Sequence, residues 1–151
     1  MNKGQLALDL FNKGYNCAQA VVLAFKEELN LDEKTLKSMS SSFGGGISRL
    51  REVCGCVSGA GIVLGLMYGD YDVNNVDEKA AHYAMIQNIS LKFKQEFNSY
   101  ICATLLNKAS GVESPIPSVR NENYYVNRPC GKYIYYMANL IEKELANHGK
   151  N

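Results

Sequence analysis

Residues 53–68 read VCGCVSGAGIVLGLMY, from Val53 to Tyr68. The stretch is apolar nearly all round, so it reads as a buried helix rather than a surface one. Its glycines at 55, 59, 61 and 65 would each destabilise an isolated helix interior by about 1 kcal/mol against alanine. Close backbone approach by neighbouring helices or by a cofactor is the expected compensation. Cys54–Tyr68 is therefore the predicted central, buried helix.

Working outward, helical periodicity continues on both sides. Leu6, Leu10 and Phe11 form a short stripe that stops at Gly14, a residue suited to ending a helix. Asn16 followed three residues later by Gln19 reads as a capping box. Behind it come Ala18, Val21, Val22, Phe25 and Leu29 at three- and four-residue spacing. Asp32 starts a short helix from Glu33 to Met39, and Asn75 or Asp77 starts a long one with Ile86, Ile89, Phe93 and Phe97 on one face. Ser99 caps another short helix through Leu105 and Leu106. Pro129 suits the first turn of a last helix, striped with Tyr133, Ile134, Met137, Leu140, Ile141 and Leu145. No β-alternation of useful length and no repeat interrupts this. The predicted fold is all-α, a single compact domain over residues 1–151, of six or seven helices around the glycine-rich one.

Composition narrows the function. The 151 residues suit one domain. Sixteen basic against fifteen acidic residues leave a formal charge of +1, without the basic excess of a nucleic-acid binder. Gly59–Tyr68, the longest weakly polar run, falls short of the roughly 18 residues of a membrane span. Asp9 and Lys13 interrupt the first helical pattern, so no signal-peptide core is expected there. A cytoplasmic protein without nucleic-acid or membrane partners is the expectation.

Five cysteines in such a chain are an excess. Their odd number argues against an extracellular disulfide framework and for metal or redox chemistry in a reducing compartment. Cys17, Cys54, Cys56, Cys102 and Cys130 are each predicted in the first turn of a helix. Free N–H groups and the positive dipole end there favour thiolate, the form that binds metals and attacks disulfides. The bland alternative is that buried cysteines fill small gaps between helices. No Cys-x-x-Cys occurs, so a shared site would have to be assembled by tertiary folding. Spacing alone leaves an iron–sulfur cluster, a zinc ion and a disulfide pair open.

The strings Asn16-Cys17-Ala18-Gln19-Ala20-Val21, Phe43-Gly44-Gly45-Gly46 and Cys54-Gly55-Cys56-Val57-Ser58-Gly59-Ala60 resemble the C_GCAxxG_C_C family of redox-active proteins. The resemblance covers essentially the whole chain. It implies four recurring cysteines at Cys17, Cys54, Cys102 and Cys130, redox activity, and an iron–sulfur or other metal centre. Where the family commonly has Cys-Gly-Ala-x-x-Gly, Cys56 replaces the alanine, which adds a ligand or a spare thiol.

Other features carry less. Gly44-Gly45-Gly46 lacks the spacing and the preceding strand of a phosphate loop, and is read as a tight turn passing the cysteine site. Arg49 and Arg51 would stabilise thiolates or an anionic cluster, or merely solvate a connector. His82 and His148 have no carboxylate at useful spacing. The ten tyrosines are read as core and interface residues.

The functional expectation is a redox protein whose Cys17, Cys54, Cys102 and Cys130 converge as ligands of an iron–sulfur cluster, with zinc or no metal as alternatives. The competing classes are a metal-free thiol/disulfide oxidoreductase, with Cys54 or Cys56 attacking, and a helical binding or assembly module with structural cysteines. A homodimer and an unspecified redox partner are expected. Cys54 should face the shared site and Cys56 a second helix or the rim, because residues two apart on a helix diverge by about 200°. The aperiodic loop Gly111–Arg128 should cover the site.

Overall fold

The computed structural model describes residues 1–109 and 111–149; Ser110, Lys150 and Asn151 of the predicted 1–151 domain lie outside them. Among the described residues the protein is helical, and its one β feature is an isolated antiparallel bridge between Val53 and Ile101. Nine right-handed helices form: α1 (Lys3–Asn12), α2 (Cys17–Leu23), α3 (Lys26–Leu29), α4 (Glu33–Ser40), α5 (Gly55–Tyr68), α6 (Val76–Phe97), α7 (Cys102–Leu105), α8 (Glu122–Asn127) and α9 (Cys130–Gly149); the short coil at Gly44–Ile47 has positive φ from Gly45 on and is counted as a turn.

Nine exceeds the six or seven expected, for two physical reasons. The helix expected to run on to Leu29 breaks at Ala24–Phe25, where Phe25 turns wholly into the core and Lys3 Nζ donates to the Ala24 carbonyl at 3.0 Å. The supposedly aperiodic loop contains α8, capped by Asn121, whose side chain accepts from the Tyr124 N–H. The Asn16–Gln19 capping box and the Asn75 cap form as read. Ser99 instead takes the Ile101 N–H in a tight turn, and α7 starts with Ile101 at its N-cap.

The first and last helices pair: α1 packs along α9, and α2 packs against α1, α4, α5 and α9. Val21, Val22, Phe25, Val63, Leu64, Ile134, Met137 and Ile141 are fully buried between them, each stabilising the fold by roughly 1.5–3 kcal/mol. The glycine-rich α5 is not buried all round. Gly55, Gly59, Ala60, Val63 and Leu64 are buried, while Leu66 is 40% exposed and a Cβ at Gly61 or Gly65 would meet nothing. Gly55 and Gly59 answer the expectation of close approach there, Gly55 lying against the Cys17 sulfur and the Phe43 carbonyl, Gly59 against Val21 and the Ala18 carbonyl. The long α6 buries Ile89 and Phe93, with Phe93 and Phe97 edge-on to Tyr133 and Tyr136. No helix among the described residues is long and apolar enough to cross a membrane.

Candidate functional site

Each cysteine stands where a helix begins. Cys17, Cys102 and Cys130 are the first residues of α2, α7 and α9; Cys54 is the N-cap of α5 and Cys56 its second residue. All five line one cavity of about 430 Å³. The chain-distant cysteines therefore do converge.

A turn of unusual handedness brings them together. Gly45, Gly46, Ile47, Ser48 and Arg49 have φ of 71°, 63°, 65°, 49° and 69°, and Arg51 follows at 61°. Five consecutive left-handed residues are rare, because each non-glycine conformer of this kind is disfavoured by about 1–2 kcal/mol. Strain of that sort persists only where surrounding contacts enforce it, commonly at functional sites. Here the Arg51 and Glu52 N–H groups donate back to the Gly45 and Gly46 carbonyls at 3.1 and 3.0 Å. The carbonyl of Glu52 then accepts from Cys102 N–H at 2.6 Å, and Cys54 N–H donates to the Tyr100 carbonyl at 2.8 Å. This seam holds Cys54 beside Cys102. Gly46 admits no side chain, since a Cβ would lie 2.6 Å from Cys102 Cβ. Gly55 is equally closed: its missing Cβ is occupied by the Cys17 sulfur.

The sulfurs have distinct partners and therefore distinct acidities. Cys54 is held below the ordinary thiol range, first by the hydrogen bond its sulfur accepts from the Cys56 thiol and further by the N–H groups of Cys56 and Val57, against its burial. Cys56 is pushed well up by burial and by donating that bond. Burial also raises Cys17, although the Gly45 N–H hydrogen-bonds its sulfur. Cys130 is raised to about 11 by burial and by Cys54, with Arg128 opposing. Cys102 is raised by burial, opposed by Arg51, whose Nη1 donates to its sulfur at 3.4 Å.

Cys56 is wholly buried and so does not sit at the rim. It lines the same cavity, because α5 begins between the two cysteines and the extended Cys54 (φ −54°, ψ 136°) lies outside the helical spiral. The loop 111–128 does cover the site: Pro115, Pro117, Ser118 and Arg120 close one wall. Two arginine clasps fasten it. Glu113 takes Arg49, Arg51 and Lys108 on one carboxylate. Arg120 donates to the Phe11 and Tyr15 carbonyls at 2.9 and 3.1 Å, with its guanidinium 4.5 Å from the Phe11 ring centre.

Sequence reasoning passed over Glu113, Arg120 and Arg128. The glycine triplet signalled a tight turn, though not its handedness, and nothing local signals which loop charge reaches which helix. His82 does not line the cavity. Among the described residues no three or more His, Cys, Asp or Glu side chains are arranged to hold a metal ion.

Fold and site together define a helical protein built around a cavity walled by helix-starting cysteines. The chain belongs to the family described as "Putative redox-active protein (C_GCAxxG_C_C)", which it matches over residues 15–144. No curated protein and no solved structure matches it.

Proposed function

We propose that the cavity is a thiol redox centre in which Cys54 attacks a substrate disulfide and Cys56 resolves the product. The placement of Cys54 and Cys56 carries this reading: both line one cavity at the start of α5, and Cys54, held below the ordinary thiol range, is favoured as thiolate, the nucleophilic form, with the second sulfur close by. The Cys54 thiolate bonds to one substrate sulfur while the substrate S–S bond breaks, and the other sulfur leaves as thiolate. The Cys56 sulfur then attacks that of Cys54 and gives its proton to a leaving thiolate. Two protein thiols become one disulfide, and one substrate disulfide becomes two thiols; an external dithiol resets the site. Cys56→Ser should trap a mixed disulfide on Cys54, visible by mass spectrometry after reaction with a small disulfide. No adduct, or an adduct on another cysteine, would overturn the reading.

A second reading is favoured by the donors: the cavity offers five thiols and no Asp, Glu or His. That set has the chemistry of an iron–sulfur centre, which Cys17, Cys54, Cys102 and Cys130 would hold for electron transfer. As they stand the sulfurs form no grip for a metal ion, so this reading rests on donor chemistry. Iron analysis and visible absorbance on protein purified without oxygen test it: Cys54→Ala should lose the signal and Cys56→Ala keep it.

A further inference from the structure

The wall of the cysteine cavity carries four arginines, Arg49, Arg51, Arg120 and Arg128, and, among the described residues, no Asp, Glu or Lys. Most of their donors are spent on the protein. Arg120 holds the Phe11 and Tyr15 carbonyls, Arg49 holds the Ser114 carbonyl and Glu113, and Arg128 reaches the Ser118 hydroxyl. Arg51 is different. It is 4% exposed, its Nε faces Glu113 and its Nη1 faces Cys102, and its Nη2 is buried with no hydrogen-bond partner among the described residues. Buried polar groups in folded proteins are almost always paired, and a charged donor left without an acceptor is costly. Arg51 cannot swing away to find water, because its backbone is locked into the left-handed turn and its other two donors are engaged.

We propose that Arg51 Nη2 is the donor of an anion subsite, and that the cavity takes a small organic anion whose carboxylate or other oxyanion head docks there. Four guanidinium groups against the single carboxylate of Glu113, which also serves Lys108, leave the wall positive. Leu105, Leu106, Pro115 and Pro117 offer an apolar bed for the ligand's body, and the volume of about 430 Å³ falls among cavities that hold small molecules. Arg51 also touches Cys102, so a docked head would sit at the edge of the sulfur cluster. The inference rests on the thiol redox reading only in making this anion the substrate; the binding itself needs no redox step.

Benzoate and its neutral isostere benzamide separate the charge from the shape. Calorimetric titration of the reduced, metal-free protein should show saturable benzoate binding, with benzamide at least about tenfold weaker, the factor expected when an ionised acceptor is lost. Arg51→Lys keeps the charge but removes the second fork nitrogen, and should weaken benzoate by about the same factor. Equal binding of benzoate and benzamide, no benzoate binding, or undiminished binding by Arg51→Lys would overturn the subsite. Should Arg51→Lys fail to fold, the native protein still decides. Its thiols should be alkylated faster by iodoacetate relative to iodoacetamide than free cysteine is, and benzoate should abolish that preference. An unchanged ratio would reject the proposal. Because neither assay needs a disulfide exchange or a metal, loss of the redox reading would leave their outcome intact.

Discussion

Cys54 and Cys56 line one cavity from either side of a single glycine, Gly55. They share it because one residue lies outside α5 and the other within its first turn. The pair is asymmetric: one sulfur is favoured as thiolate, the other as thiol.

Alkylation should follow that asymmetry. With iodoacetamide and site-resolved mass spectrometry, Cys54 should begin to react at lower pH than Cys130, whose pKa lies at about 11. Cys56→Ala removes the hydrogen bond to the Cys54 sulfur and should move the onset for Cys54 to higher pH. A Cys54 profile that ignores this substitution would show that the helix start alone sets its acidity.

The left-handed turn should tolerate no side chain at its second glycine. Gly46→Ala meets both a φ of 63° and contacts of 2.6 Å to Cys102 Cβ and 2.7 Å to the Glu52 nitrogen. Conformational strain and overpacking together should destabilise the protein by about 3 kcal/mol, read as a lower urea midpoint. Gly61→Ala, in open space on α5, should do the opposite by about 1 kcal/mol.

Acid should loosen the loop through Glu113. Arg51 and Lys108 hold its carboxyl at about 2, below its ordinary 4.5. A depressed carboxyl stabilises the fold in its ionised form, so the contribution is complete above about pH 4.5 and fades as pH falls towards 2. Its side chain is 30% exposed, so solvent screening keeps the effect modest. Glu113→Gln should flatten this part of the stability–pH curve. An unaltered acid limb would mean that other carboxylates dominate it.

Arg120→Ala should open the same loop from its other end. It removes two charge-assisted hydrogen bonds, to Phe11 and Tyr15, and a stacked guanidinium. Losing about 1.5–3 kcal/mol of local stability should speed protease cleavage between residues 111 and 128 by at least about tenfold. Cleavage at the native rate would mean that the Glu113 clasp suffices.

What could be read in the sequence was what short stretches encode. Apolar stripes gave α9 and α6, side-chain caps gave the starts of α2 and α6, and helix starts gave the placement of all five cysteines. Three things needed the folded chain. The stripe breaks at Ala24–Phe25, where Lys3 of α1 takes the Ala24 carbonyl, a contact that no local pattern announces. Cys56 turned inward because α5 starts one residue later than read, and one residue at a helix start redirects a side chain. Glu113 and Arg120 act on groups far away in the chain, and surface charges carry no signature of their partners.

The pairing of α1 with α9 has an implication for the order of events during synthesis. Cys17 is synthesised well before Cys130, and α9, which starts at Cys130, docks against α1, made earlier still. The cavity thus receives its fifth cysteine, Cys130, only when α9 docks. Until then one wall is missing, so the full set of five sulfurs exists only in a molecule whose first and last described helices have met.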